Sequence, residues 1–312
     1  MIVIDDVHTA HAPFPRLALT IGSFDGIHVG HRRILDQVVA QARAMDGTAA
    51  ALTLRPHPRQ VFAPSHAPNL LTSDAQKMRL FAEAGLDVVF VLPFTADTAR
   101  LAPGLFLQQI IHERCRPAAI VVGHDFRFGE GARGDYEFLC QAAPRYGFSV
   151  TQVAPILIDG ERVSSTLIRE RILEGDLDEA AGFLGRPYSI LGRVVPGRGI
   201  GSVLGFPTAN IVPGDYVVPP HGVYAADVVI GPAPRPAAVN IGIAPTIRHE
   251  DITIEAYVLD FSESILEQDI EIVFRRRIRP EKKFASREEL VQQIAVDVAE
   301  IRRLLDSPES GP

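Results

Sequence analysis

The chain has 312 residues, about twice the length of a common domain of roughly 150 residues, so two hydrophobic cores are expected. Apolar residues make up 46% and charged residues 22% of the sequence, which excludes a disordered chain, a collagen-like repeat and a coiled coil. The net charge of −7 argues against a general nucleic-acid-binding protein, because such proteins carry basic surfaces. It leaves room for a local basic pocket that binds a small anion.

The longest apolar runs, such as residues 120–122, are far shorter than the roughly 18 residues of a membrane-spanning helix, so no membrane partner is predicted. The first residues include Asp5 and Asp6 rather than the Lys or Arg of a secretory signal, and we expect a cytoplasmic protein. The two cysteines, Cys115 and Cys140, are too few for a disulfide framework. We expect both to be buried and reduced.

Residues 16–150 alternate strand-like and helix-like segments. The predicted strands are 16–21, 48–54, 87–92, 118–122 and 148–153, and the predicted helices are 30–44, 74–84, 103–114 and 135–143. This alternation predicts an α/β fold with a parallel sheet covered on both faces. Ligands bind such sheets at the carboxyl ends of the strands. A single site is therefore expected on the loops 22–29, 55–62, 93–102 and 123–134.

The second half consists of short strand-like segments separated by Gly and Pro. They are predicted at 188–195, 222–230, 237–243, 252–261 and 270–278. This pattern favours an antiparallel barrel or sandwich. A closing helix is predicted to begin at Ser286, because Ser286 and Glu289 have the spacing of a capping box. We place the two domains at residues 1–186 and 187–312.

An H-x-G-H sequence lies between the first strand and the first helix. His28 and His31 are three residues apart, so their imidazoles can point to one place near the helix N-terminus, where anions collect. Gly30 leaves room between them for a nucleotide. This chemistry suits attack on the α-phosphate of ATP. The alternative is that two surface histidines happen to lie near a helix start.

Two further clusters point to phosphates and a cation. Three hydroxyl side chains between Arg162 and Arg169 precede a helical stretch, as in a triphosphate clamp or an ordinary helix cap. In the second half, glycines at 197, 199 and 201 let a backbone approach phosphates closely. Thr208 and Asn210 then face one side of an extended segment, which suits Mg²⁺ carried by ATP. The alternative is that Thr208 and Asn210 only cap a turn.

In its first half the chain resembles the bacterial bifunctional riboflavin kinase/FMN adenylyltransferases, also called FAD synthetases. The matching sequences are GSFDGIHVGH at 22–31, PHP at 56–58, VGHDFRFG at 122–129 and SSTLIR at 164–169. The resemblance implies a Rossmann-like nucleotidylyltransferase domain in which His28 and His31 stabilise the transferring adenylyl group. It implies ATP-binding roles for Gly22, Ser23, Phe24, Gly30, Arg162, Ser164, Ser165, Thr166 and Arg169. It implies flavin-binding roles for His57, Phe62, Phe106, Asp125 and Phe128.

The second half resembles the riboflavin kinase module of the same family, through LGFPTAN at 204–210, GVYA at 222–225, NIG at 240–242 with Pro245-Thr246, and Glu255 with the sequence LDF at 259–261. The resemblance implies an antiparallel barrel in which Glu255 is the general base for the ribityl hydroxyl of riboflavin. It implies ATP-binding roles for Gly199, Gly201, Pro207, Thr208 and Asn210, with Thr208 and Asn210 also at Mg²⁺. It further implies that Arg279 contacts the flavin. Riboflavin, FMN and ATP are the implied substrates.

The chain departs from the family pattern at Leu54 and Arg55, where the family has an aromatic residue and an acid. Arg55 reverses a charge at the mouth of the expected FMN site, so it would either impair adenylyl transfer or meet the FMN phosphate. Two alternatives to the bifunctional enzyme therefore stay open: a riboflavin kinase with an impaired first domain, and a flavin-binding regulator without turnover. A dehydrogenase is disfavoured because no G-x-G-x-x-G follows the first strand.

Overall fold

The computed structural model describes residues 1–10, 14–62, 69–197, 199–231, 233–245 and 250–305. The chain forms two compact units: Met1–Asn69 with Asp74–Ser164, and Leu70–Ser73 with Ser165–Pro312. The contacts thus assign residues 165–186 to the second unit, whereas the sequence assigns them to the first domain. The domain limits 1–186 and 187–312 stay a prediction.

The first unit contains a six-stranded parallel sheet with strand order β1-β4-β3-β2-β5-β6. Its strands are β1 (Ile2–Ile4), β2 (Leu17–Gly22), β3 (Ala49–Arg55), β4 (Val88–Pro93), β5 (Pro117–Gly123) and β6 (Ser149–Val153). The predicted α/β fold and five predicted strands are confirmed. The sequence analysis missed β1, which has only three residues and pairs with β4 at the edge of the sheet.

Helices connect these strands. They are α1 (Val29–Ala44), α2 (Pro58–Phe62), α3 (Asp74–Glu83), α4 (Ala96–Ala99), α5 (Pro103–Phe106) and α6 (Tyr136–Tyr146), with a π-helix at Leu107–Cys115. The predicted helix 103–114 is therefore one α-helical turn followed by a π-helix. A two-stranded hairpin of β7 (Leu157–Ile158) and β8 (Glu161–Arg162) completes the unit.

The strands β2 to β6 contribute to two cores, because alternate side chains point to opposite faces of the sheet. In β3, Leu52 packs in one core and Ala51 in the other. The π-helix adds Ile110 to the first core, and α1 adds Leu35 to the second. With both faces covered, polar groups that act on a ligand are confined to the loops at the strand ends.

The second unit is a closed six-stranded barrel with neighbouring strands in the order β10-β13-β12-β11-β14-β9. All of its strand pairs are antiparallel. The strands are β9 (Ser189–Val195), β10 (Ala209–Ile211), β11 (Gly222–Ile230), β12 (Ala233–Pro245), β13 (Glu250–Val258) and β14 (Asp269–Pro280). The predicted barrel is confirmed, and each of its described strands pairs with a neighbour on both sides. Thr246, part of one family motif, lies outside the described residues.

The helices in the described part of this unit are α7 (Ser165–Glu174), α8 (Leu177–Leu184), α9 (Ile200–Val203) and α10 (Arg287–Leu305). The Ser286 hydroxyl accepts a hydrogen bond from the Glu289 backbone N–H at 3.2 Å, which confirms the predicted start of the closing helix. Ile301 of α10 is fully buried against Val223 and Ala225 of β11. This contact anchors the helix on the barrel.

The two cysteines differ. Cys115 is buried, and burial raises the pKa of its thiol to about 12, so it is unreactive. Cys140 lies exposed on α6, and the prediction that it is buried is wrong. In the described part of the chain, no helix combines the length and apolar character needed to cross a membrane.

We predict that Gly192→Ala destabilises the barrel by about 1–3 kcal/mol. A Cβ at this position in β9 would overlap the Cγ2 of Ile211, which is fully buried in β10 and has little room to move. Denaturant-induced unfolding measures the change in free energy. Gly182→Ala is the control, because a Cβ there meets none of the described atoms within 4 Å, and it should stabilise α8 by about 0.5–1 kcal/mol. Equal unfolding midpoints for Gly192→Ala and the wild type would contradict this packing.

Candidate functional sites

The loop from β2 to α1 has an unusual backbone. Phe24 and Ile27, which are not glycines, take left-handed conformations with φ of 52° and 36°. Both side chains are buried, so packing holds a conformation that costs about 1–3 kcal/mol per residue. The loop thereby brings His28 to the N-terminus of α1.

His28 caps this helix with its side chain. The imidazole Nδ1 accepts a hydrogen bond from the His31 backbone N–H at 3.2 Å. A neutral imidazole that accepts at Nδ1 carries its proton on Nε2. His28 can therefore donate an N–H to an anion at the helix N-terminus, where the helix dipole also favours negative charge.

The two imidazoles are stacked, with ring centroids 3.7 Å apart and an interplanar angle of 18°. Burial lowers the pKa of His31 well below its ordinary value, and the nearby His28 and Lys77 lower it further. The His31 Nδ1 is buried and has no hydrogen-bond partner among the described residues. The structure thus confirms that the H-x-G-H spacing brings the two rings together, and burial disfavours the charged form of His31.

The residues around the pair support it. Phe24 is 2% exposed and packs edge-on against His31, with ring centroids 5.2 Å apart. A Cβ on Gly30 would lie 3.1 Å from the His28 ring, so the room at Gly30 is needed by that imidazole. A Cβ on Gly22 would lie 3.2 Å from the Phe24 ring, and the Ser23 carbonyl accepts a hydrogen bond from Thr53. The buried Phe24 can offer a nucleotide only its backbone.

Arg162 and Asp125 each lie near a ring nitrogen of His124. The His124 Nε2 is 3.1 Å from Nη1 of Arg162, and its Nδ1 is 3.8 Å from Oδ1 of Asp125. The side chain of Asp125 is largely exposed, and so is Arg162. His124 was not among the predicted site residues, although it belongs to the sequence VGHDFRFG.

The predicted phosphate clamp is divided between the two units. Ser164 ends the first unit, whereas Ser165, Thr166 and Arg169 lie on α7 of the second. Thr166 is exposed, and the other three are half-buried. Their joint contact with ATP stays a prediction.

The residues predicted to bind flavin in the first unit fall into two groups. Phe106 and Phe128 are buried in one core, with ring centroids 5.7 Å apart. Phe62 is 64% exposed and packs edge-on against Phe94 at 5.5 Å. The half-buried His57 accepts a hydrogen bond at Nδ1 from a backbone N–H within α2. Of the three phenylalanines predicted to bind flavin, Phe62 is thus the one that presents its ring at the surface.

Arg55, the main departure from the family pattern, is held by carboxylates. Its Nε lies 2.8 Å from Oδ2 of Asp74, and its Nη1 lies 3.4 Å from Oδ1 of Asp5. The other Asp74 oxygen is 3.7 Å from the Lys77 ammonium. The sequence analysis missed Lys77, although its spacing from Leu80 places it on the buried face of α3.

The second unit contains a cavity of about 780 Å³, within the usual size of a small-molecule site. Its walls come from the glycine-rich loop, from strands β10, β12, β13 and β14, and from α10. The predicted residues that line it are Gly199, Gly201, Thr208, Asn210, Glu255 and Arg279. Pro207 is exposed, while its neighbours Phe206 and Thr208 face the cavity.

Glu255 lies at the centre of a polar row across three adjacent strands. It pairs in register with Asn210 of β10 on one side and with Asn240 of β12 on the other. Such neighbours have Cβ atoms about 4.5–5.5 Å apart. The alternation predicted for this strand is confirmed, since Thr253, Glu255 and Tyr257 line the cavity while Ile254 and Ala256 are buried. The sequence does not show that Asn240 joins the row.

The glycine-rich loop packs closely on this row. A Cβ on Gly197 would overlap the Asn210 amide, and one on Gly201 would overlap the Phe206 carbonyl. The Asn210 amide nitrogen donates to the Thr208 carbonyl at 3.3 Å, which leaves its oxygen to face a cation. Hydroxyl, amide and carboxylate oxygens are the donors that hard divalent cations take. Among the described residues no group of three or more His, Cys, Asp or Glu could hold a metal ion.

Arg279, which also lines the cavity, forms an ion pair with a residue of α10. Its Nε lies 3.0 Å from both Asp297 oxygens, and its Nη2 donates to Oδ2 of Asp297 at 2.7 Å. The side-chain amide of Gln293 donates a further hydrogen bond to Oδ1 of Asp297 at 2.9 Å. The guanidinium also lies 5.7 Å from the centre of the Phe284 ring. Asp297 is buried, and the sequence analysis missed it, although it lies on the apolar stripe of α10 between Ile294 and Ile301.

Two family models match the chain one after the other. The model described as FAD synthetase matches residues 12–167, and the model described as riboflavin kinase matches residues 184–305.

Relatives match over nearly the whole length. A bifunctional riboflavin kinase/FMN adenylyltransferase of Escherichia coli (strain K12) is 37% identical over 299 residues, covering 95% of this chain and 96% of that protein. The protein of the same description from Haemophilus influenzae is 35% identical, covering 98% of this chain and all of its own length. A solved structure described as a macrolide-efflux protein from Streptococcus pneumoniae superposes with a TM-score of 0.86 at 28% identity, covering 96% and 98% of the two chains. The shared fold thus extends through both units.

We predict that Asp297→Asn destabilises the second unit by about 3 kcal/mol, because it leaves the guanidinium of Arg279 without its buried carboxylate. Denaturant-induced unfolding measures the loss. The matched control is Asp269→Asn, which removes an equally bidentate but exposed partner from Arg193 and should change stability little. Equal effects of the two substitutions would contradict the importance of burial at Asp297.

Proposed function

The chain belongs to the family of bifunctional riboflavin kinase/FMN adenylyltransferases, and we propose that its two units divide the two reactions of that family. The enzyme phosphorylates riboflavin with ATP to FMN, and it adenylylates FMN with ATP to FAD and pyrophosphate. One observation carries the division: each unit holds its own preformed polar site. Stacked imidazoles at a helix N-terminus mark the first, and a cavity centred on Glu255 marks the second.

In the first unit the reaction is adenylyl transfer. An oxygen of the FMN phosphate attacks the α-phosphorus of ATP, and the bond to the β-phosphate oxygen breaks as pyrophosphate leaves. Negative charge on the phosphate oxygens is met by the Nε2–H of His28, by His31 and by the free N–H groups at the start of α1. The capping bond holds the His28 ring before the substrate arrives, so little reorganisation is needed at the moment of reaction.

In the second unit the reaction is phosphoryl transfer. Glu255 accepts the proton of the ribityl 5′-hydroxyl as that oxygen attacks the γ-phosphorus of ATP, and ADP leaves. Asn210 and Asn240 on either side of Glu255 position the hydroxyl and the phosphates by hydrogen bonding. The glycine-rich loop offers backbone N–H groups to the phosphates. Phe284 lines the cavity together with the apolar Leu290 and Ile294, which suits the flat isoalloxazine, and Arg279 lies beside the Phe284 ring.

ATP-dependent transfer of this kind uses a divalent metal, and Mg²⁺ is our proposal for the ion. The oxygens of Thr208 and Asn210 fit it, since Mg²⁺ takes few protein ligands and keeps waters and phosphate oxygens. When bound, the ion neutralises charge on the ATP phosphates. The requirement for ATP and the presence of two free thiols favour the cytoplasm as the place of action.

Arg55 bears on the alternative of an impaired first domain. Its guanidinium is neutralised by Asp74 and Asp5, so the reversed charge is compensated locally. This arrangement favours the bifunctional enzyme over a kinase with a disabled first unit.

We expect substitutions to separate the two activities. His28→Ala should lower FAD formation from FMN by at least a hundredfold and leave FMN formation unchanged, because one donor to the developing charge is lost. Glu255→Ala should abolish most FMN formation and leave FAD formation from supplied FMN unchanged. Chromatographic separation of riboflavin, FMN and FAD over time, with ATP and Mg²⁺ present, measures both.

The wild type serves as the reference in the same assay. FMN that appears first and FAD that follows it support both reactions and show that Arg55 is tolerated. Equal loss of both activities in either variant would contradict the division between units. FMN without FAD in the wild type would establish the kinase-only alternative, and flavin binding without conversion would establish the regulator.

A further inference from the structure

His124 is a half-buried histidine that neither proposed reaction uses. It follows β5 directly, so it lies at the carboxyl end of that strand, where ligands bind a parallel sheet. The side-chain amide of Gln152, on the neighbouring β6, donates a hydrogen bond to the His124 backbone carbonyl at 3.3 Å. The adjacent strand therefore holds the His124 backbone at this edge of the sheet.

The same edge of the sheet contacts the helix that carries the stacked histidines. A Cβ on Gly123 would lie 3.2 Å from Cδ1 of Ile34, and Ile34 lies about one turn after His31 on α1. In addition, β5 pairs in parallel with β2, the strand that leads into the loop of His28. His124 thus belongs to the same group of strand ends as the proposed site of adenylyl transfer.

The His124 ring contacts an exposed cation. Its Nε2 lies 3.1 Å from Nη1 of Arg162. Among the described residues, the Arg162 guanidinium forms no ion pair and hydrogen-bonds to no side chain other than this ring. A guanidinium has five N–H donors, so this contact leaves most of them for a ligand. A guanidinium without a carboxylate partner, at the ligand-binding edge of the sheet, suits a phosphate group.

The contact with Arg162 determines the protonation of the imidazole that it requires. A guanidinium can only donate, so Nε2 of His124 accepts, and a neutral ring that accepts at Nε2 carries its proton on Nδ1. That nitrogen lies 3.8 Å from Oδ1 of Asp125, whose negative charge stabilises a proton there. The hydrogen bond therefore requires a neutral His124 in the tautomer opposite to that of His28, which accepts at Nδ1.

A second proton on His124 would break this hydrogen bond, because an imidazolium and a guanidinium both donate and repel each other. The charged groups at the ring are Asp125 from its own loop, which favours the imidazolium, and Arg162 from β8, which disfavours it. Gln152 from β6 is uncharged. Protonation at low pH would thus release Arg162 from the ring.

We propose that His124 is a positioning residue for adenylyl transfer: its neutral imidazole, with Asp125 at Nδ1, holds the Arg162 guanidinium at the carboxyl edge of the sheet, where Arg162 binds a phosphate of ATP. The proposal rests on the proposed function of the first unit. His124 acts through Arg162 and touches no substrate.

The test compares His124→Gln with His124→Phe in the full-length protein. Glutamine keeps an acceptor at the reach of Nε2 and does not titrate, whereas phenylalanine keeps a ring and removes the acceptor. The matched control is His112→Phe, which replaces a half-buried histidine on the π-helix that precedes the opposite, amino end of β5. Initial rates of FAD formation from FMN and ATP give kcat and the KM for ATP across a range of pH.

In His124→Phe the KM for ATP should rise about tenfold, the scale of one hydrogen bond to a charged group, and it should change more than kcat. His124→Gln and His112→Phe should match the wild type at neutral pH. In the wild type the KM for ATP should rise as the pH falls and His124 is protonated, because the imidazolium cannot accept from Arg162. This rise should be weaker in His124→Gln, and FMN formation should be unchanged in all three variants.

A double-mutant cycle tests whether His124 acts through Arg162. Arg162→Met and the double variant with His124→Phe should have the same KM for ATP, since the ring has no guanidinium left to hold. Additive effects of the two substitutions would overturn the proposal. So would a wild-type KM for ATP in His124→Phe, or equal losses in the glutamine and phenylalanine variants. His124→Leu replaces the phenylalanine variant if circular dichroism shows that the latter is unfolded.

NMR of isotope-labelled histidine side chains reports the tautomer in the wild type, with His124→Gln to assign the signal. At neutral pH the proton of His124 should be on Nδ1, and a proton on Nε2 would overturn the proposal. Failure of the proposed function is distinguishable. A wild type that forms no FAD would overturn that function and the role of His124 together, whereas FAD formation with the proton on Nε2 would overturn the role of His124 alone.

Discussion

A single hydrogen bond, from the His31 backbone N–H to Nδ1 of His28, determines much of the first site. It begins α1, it determines which nitrogen of His28 carries the proton, and it holds one imidazole parallel to the other. The left-handed backbone at Phe24 and Ile27 brings the loop to this point, and the core on one face of the sheet stabilises that backbone by burying both side chains. Helix start and anion site are therefore one structure, since the N–H groups left free at the helix end are the groups that bind phosphate.

The barrel also arranges polar side chains into a site, but it does so through strand register. Closure brings β10, β13 and β12 side by side, so Asn210, Glu255 and Asn240 form a row although they are far apart in the sequence. The row needs no loop to arrange it, because register alone places the side chains opposite one another. In the lining of the same cavity, the ion pair of Arg279 with Asp297 joins α10 to β14. The terminal helix thereby becomes part of the ligand site.

Buried charge is common to both units and is handled differently. Asp297 is satisfied by a bidentate partner and by Gln293, which is the arrangement that makes a buried ion pair tolerable. Lys77 shares the carboxylate of Asp74 with Arg55. The first arrangement fixes the Arg279 side chain, and the second divides one carboxylate between two cations. The unusual Arg55 belongs to the second network, which explains how the chain accommodates a charge reversal there.

Periodicity in the amino-acid sequence was sufficient for five of the six strands in each sheet and for the capped closing helix, because these depend on neighbours two to four residues apart. It missed the three-residue strands β1 and β10. The spacing of His28 and His31 and the alternation around Glu255 are local in the same way, so the sequence determined them as well. Only the tertiary structure decided which strands become neighbours, and with that the place of Asn240 beside Glu255 and of Asp297 beside Arg279. It also decided that Phe106 and Phe128 are core residues and that Arg55 is neutralised. The physical reason is that register, ion pairing and burial join residues distant in the chain, whose mutual distance no local pattern records.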